Sequence, residues 1–154
     1  MRPSRRWTEL AGHDTGSTSL EFITAGLLLL VPIVYLVLTL SALQTAALAV
    51  DGAARQATRV FVQADSIGEA RTAAARAIEV TLADYGLDAG AASIAIGCRP
   101  QPTACLTRRG FVTVTIGITV PLPLAPPALD VDLPAGLPVS ATATEQVSRF
   151  WGSR

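Results

Sequence analysis

The chain contains no lysine and no asparagine, and it has a single histidine. All twelve of its basic residues are therefore arginines, and twelve acidic residues balance them to a formal net charge of zero. Charged residues make up 16% of the 154 positions, where an ordinary soluble domain carries about 25%. Zero net charge without a basic stripe argues against nucleic acid as a partner. Aromatic residues, at 5%, are too few for a base-stacking platform. One histidine and two cysteines leave little material for a metal centre or a catalytic triad. No enzymatic activity, cofactor, metal or small-molecule substrate is expected.

Apolar sequence fills the place of the missing charge. Half of the residues are hydrophobic, and the mean hydropathy is +0.44. From Phe22 to Val50 no residue is charged, and the most apolar part, Phe22 to Leu43, spans 22 residues. A bilayer core takes about 20 residues in helical form, so this segment predicts a transmembrane helix. Pro32 lies inside it and is expected to bend the helix near residues 28–32, because it removes a backbone donor. Arg2, Arg5 and Arg6 precede the run. Arg55 and Arg59 follow it only after more than ten uncharged or acidic positions. That bias favours a cytoplasmic N-terminus in the plasma (inner) membrane and an extracytoplasmic C-terminal part.

Before the apolar run stands a polar stretch, residues 1–16, without periodicity. It reads as a cytoplasmic leader and contains the only histidine, His13. Ser17-Thr-Ser-Leu-Glu21-Phe22 then enters the apolar segment directly. A carboxylate at mid-bilayer costs roughly 2.5–3.5 kcal/mol, and less near the interface. Glu21 can therefore sit among headgroups, where it favours the helix N-terminus, or it can have a specific counter-ion. A second export pattern is also present. Ala47-Leu48-Ala49 has the small-x-small form of a signal peptidase site, and cleavage there would release a secreted domain starting at Val50. The apolar run is about twice the 7–15 residues of a signal h-region, which weighs against that alternative.

Gly16, a gap of four residues, Glu21, Phe22 and a long apolar helix together resemble the processing region of type IV pilin-like precursors. With Asp51-Gly-Ala-Ala-Arg55-Gln-Ala-Thr-Arg59 included, residues 16–60 are similar to the TadE-like pilus-assembly proteins of the tight-adherence (Tad/Flp) systems. Family members often carry a proline soon after the Glu-Phe pair, whereas Pro32 here comes several residues later. The resemblance implies cleavage between Gly16 and Ser17 by a membrane-embedded prepilin-type peptidase. It also implies assembly with other pilin-like subunits or a pilus platform. Chemically, glycine suits the cut, because it lets the backbone extend into a protease cleft without a side-chain clash. Cutting would create an α-amine at Ser17 with an ordinary pKa of about 7.7–8.0. That cation can pair with Glu21 of a neighbouring helix and relieve a carboxylate in low dielectric. The resemblance leaves open a minor fibre subunit or a membrane-resident assembly factor. Outside it stands the alternative of a signal-anchored or secreted binding domain unrelated to pili.

Beyond the membrane run, Val50, Ala53, Ala54, Ala57, Val60, Phe61 and Ala64 recur at three- and four-residue steps. A single helix over 17–62 would span on the order of 70 Å. Its alanine face suits close helix approach, either in a fibre of parallel helices or within the protein's own outer domain. Ser66-Ile-Gly-Glu69 has capping-box spacing and opens a second helix over 66–85, stopped by Gly86. Ala70, Ala74, Ile78, Leu82 and Tyr85 form the apolar side expected for it.

Strand patterns follow. Residues 92–97 are short and apolar, 111–120 alternate cleanly, and 139–144 alternate again. Six of the ten prolines fall between Pro121 and Pro138, so 121–138 reads as an extended surface loop rather than a central strand. Asp130 and Asp132 within it read as solvated charge, with weak cation binding as the lesser possibility. Cys98 and Cys105 bracket six residues on a hairpin loop, and in an exported domain they most simply form a disulfide. Free thiols are the other reading, and a metal site would need two further ligands. The expected fold is α+β and pilin-like: a long N-terminal transmembrane helix, a second amphipathic helix and an antiparallel sheet of about three strands. The expected organisation is a leader (1–16), a transmembrane and projecting helix (17–62), and an extracytoplasmic domain (63–154).

Overall fold

The computed structural model describes residues 17–121 and 136–152. It contains helix α1 (Ser17–Gln63), helix α2 (Ile67–Asp84), a 3-10 turn (Ala89–Ala91) and strands β1 (Ser93–Arg99), β2 (Phe111–Pro121) and β3 (Gly136–Gln146). The chain divides after Leu38 into two units. The expected leader and most of the proline-rich stretch, including His13, Gly16, Asp130 and Asp132, lie outside the described residues.

The first unit is the N-terminal part of α1. From Ser19 to Leu38 no side chain is buried, and Tyr35 alone is half-buried. Leu28, Leu29 and Leu30 are 73, 65 and 57% exposed. Among the described residues α1 is the one helix long and apolar enough to cross a membrane. It runs through Pro32 as a single element.

The second unit, from Thr39 on, has a core. α1 contributes mainly small residues to it: Ala46, Ala49, Ala53, Ala54 and Ala57 are at most 1% exposed, joined by Val50 and Phe61. The open question about the alanine face is thus answered for this stretch, which packs inside the protein's own domain. Val60, expected on the same face, is only half-buried. Thr58 is buried too, and its hydroxyl donates to the Ala54 carbonyl, so no buried side-chain polar atom is left unpaired among the described residues.

α2 starts where the cap was expected. The Ser66 hydroxyl accepts from the Glu69 N–H at 3.2 Å. The Glu69 carboxylate accepts from the Asp65 N–H at 3.3 Å, one residue before the N-cap rather than at it. Ser66 and Tyr85 are the caps and flank the helix instead of belonging to it. Ala70, Ala74, Ile78 and Leu82 are buried, whereas Tyr85 is 44% exposed. This corrects the expected apolar side: at Tyr85 the backbone leaves helical geometry (φ −99°, ψ 7°), and the ring leaves the stripe. Gly86 follows with φ +71°, and the Leu87 N–H reaches back to the Leu82 carbonyl, a left-handed closure that suits glycine.

The sheet is antiparallel in the order β1-β2-β3. On β2, Val112, Val114, Ile116, Ile118 and Val120 are buried, as the alternation requires. Thr113 and Thr115, on the other face, share hydrogen bonds with Thr144 and Thr142 of β3 at 2.9 and 3.0 Å. The expected loop 121–138 is shorter than the proline count suggested. Pro121 closes β2, and Pro138 lies within β3 opposite Thr119. β3 is an edge strand, where a residue without an N–H need not break a ladder. At Gly136 a Cβ would lie 2.6 Å from the Val120 carbonyl oxygen, so the close start of β3 requires glycine.

Candidate functional site

Of the residues expected to mark a processing site, Ser17 is the first residue of α1, and Glu21 and Phe22 follow one turn later. Both are exposed, Phe22 at 79%. Glu21 lines a shallow surface depression with Leu20, Thr24, Ala25 and Leu28. These positions repeat at four-residue steps and so share one face of the helix. Thr24 turns its hydroxyl back to the Leu20 carbonyl at 2.7 Å. That bond leaves little free polarity on this face apart from the carboxylate. No cation among the described residues pairs with Glu21. This stretch of α1 therefore offers a single acid on an apolar face, chemistry that fits a counter-ion supplied from outside the helix.

Cys98 and Cys105 form a disulfide with a Cα–Cα distance of 5.1 Å, and no described cysteine is free. Cys98 is the inward-facing residue of β1, paired in register with Val112. Cys105 lies in the connection to β2 and packs against the core. The bond closes the loop that precedes β2.

Arg55 and Arg59 face outward while Ala53, Ala54 and Ala57 face the core, so the Ala/Arg pattern marks an amphipathic helix. Arg55 pairs with Asp51 at 2.9 Å. Both partners are largely exposed, so water screens most of that attraction. A cleft lined by Gly52, Arg55, Gln56, Arg59 and residues 142–145 also brings Glu145 of β3 into this neighbourhood. That grouping depends on the strand's path, and no spacing in the sequence announces it. No group of three His, Cys, Asp or Glu residues able to hold a metal occurs among the described residues. The chain matches no family model, no curated protein and no solved structure.

Proposed function

We propose that this protein is a pilin-like structural component of a Tad/Flp-type pilus system. In this reading it is cut after Gly16 by a prepilin-type peptidase and assembled through the apolar part of α1. The observation that carries the reading is the spacing Gly16-x4-Glu21-Phe22 at the start of a helix whose apolar side chains from Leu20 to Leu38 are unburied. The new amine at Ser17 would supply the counter-ion that Glu21 lacks, and the pairing would set the register of one subunit against the next. The chain would sit in the inner membrane with its N-terminus cytoplasmic and its disulfide-bearing domain outside. A place in the fibre and a place in the membrane-bound assembly platform fit this chemistry equally.

Release of a secreted domain by cleavage after Ala49 fits the packing less well. It would remove Ala46 and Ala49, both buried, from the core of the outer domain. N-terminal sequencing of the protein isolated from membranes tests both readings. Ser17 as the first residue is the expected result, and an intact Met1 or a start at Val50 overturns the proposal. Glu21→Ala is expected to leave cleavage largely intact and to reduce incorporation into pili or their platform. Unchanged incorporation of that variant would remove the ion-pair role.

A further inference from the structure

The sheet has two open edges, and they are built differently. β3 carries Pro138 within the strand, and Glu145 stands on the side that faces the core. Both features discourage pairing with a further strand. β1 has neither. Its seven residues pair with β2 without a bulge, it contains no proline, and Arg99 at its end is its one charge. Ile94 and Ile96 lie opposite Ile116 and Val114 and point to the same face. Yet they are 45 and 39% exposed, while those partners are wholly buried. The apolar layer thus runs past β2 onto an unprotected edge strand and, among the described residues, ends there uncovered.

We propose that β1 pairs with β1 of a second copy of this chain, antiparallel, about a two-fold axis at Ile96. Charge selects the direction. A parallel, in-register pair would set two Arg99 side chains side by side, and like charges directly opposite are destabilising. The antiparallel pair places each Arg99 across from Ser93. The two arginines are then six residues apart along the strand, about 20 Å, beyond the ~8–10 Å reach of exposed charges in salt. The central stretch from Ser93 to Cys98 is uncharged and sets no repulsion against itself. Ile96 meets Ile96, and the four isoleucines extend the strip formed by Val114 and Ile116. Seven residues a side fall well short of the roughly 20–30 of a stable interface. The contact is therefore weak in dilute solution and depends on the effective concentration that a shared bilayer provides. This last step rests on α1 as a membrane anchor.

The test uses the full chain in its membrane. In the proposed pair the two Ile96 Cα atoms lie about 4.5–5.5 Å apart, within the range a disulfide spans. Ile96→Cys is expected to give a reducible dimer of twice the chain mass on mild oxidation. The yield should be at least several-fold above that of Thr142→Cys, an exposed position on the opposite edge. Adding Ile94→Glu to Ile96→Cys is expected to bring the yield down to the Thr142→Cys level, without lowering the melting temperature of the domain. Equal yields at the two edges, no dimer, a yield insensitive to Ile94→Glu, or a crosslink to a different protein would each overturn the proposal. Fractionation of the same samples reports the anchor separately, so failure of the anchor and failure of the strand pairing give different readings.

Discussion

Both units of this chain are rich in hydrophobic residues, and they use them in opposite ways. Before Leu38 the apolar side chains are large and unburied: leucine, isoleucine and valine on every side of α1. After Leu38 the same helix turns to alanine, and Ala46, Ala49, Ala53, Ala54 and Ala57 are almost completely enclosed. The contrast shows that burial follows from fit rather than from hydrophobicity. Alanine lets a helix backbone approach its neighbours closely. A leucine-rich surface with no packing partner among the described residues suits lipid, where no polar stripe is needed.

Exchanging the two kinds of position gives the sharpest tests. Phe61→Ala removes the largest wholly buried side chain and is expected to cost about 3–5 kcal/mol of domain stability. Leu29→Ala, at an exposed position, should leave the same thermal or denaturant transition in place. If both variants melt alike, the division into two regimes is wrong. The reverse swap has a smaller effect. Ala54→Leu overfills an enclosed site and is expected to cost about 1–3 kcal/mol, whereas Ala25→Leu on the exposed stretch should be silent in the same melt. The smallest effect concerns a boundary inside the folded region. Ser66→Ala removes the cap of α2 and is expected to cost about 1 kcal/mol, with a small loss of helical signal by circular dichroism.

Much of the second unit was legible because its signals are local. The alternation from Phe111 to Val120, the Ser66–Glu69 cap and the Gly86 stop each depend on a few neighbouring residues, and each stands where the pattern placed it. What the sequence left unread depends on tertiary position. Pro138 argues against a strand unless that strand is known to be an edge. Tyr85 continues the apolar period of α2, but the cap turns it away from the stripe. Ile94 and Ile96 belong to a short apolar strand pattern, and only their place on the outermost strand explains why they are exposed. Ser17, Glu21 and Phe22 were singled out by their spacing and the resemblance that it carries, and their part in processing is a proposal. Their surroundings, an acid on an apolar face without a counter-ion, became visible only with the helix built.

The tail has a practical consequence. The Trp151 indole N–H donates to the Ala64 carbonyl at 2.9 Å, which fastens the last described residues to the segment between α1 and α2. The chain has two tryptophans, and the other, Trp7, precedes Gly16. A product trimmed after Gly16 would therefore keep a single tryptophan, seated where the tail is anchored. Its emission, excited selectively over that of Tyr35 and Tyr85, would report the folding of that one region.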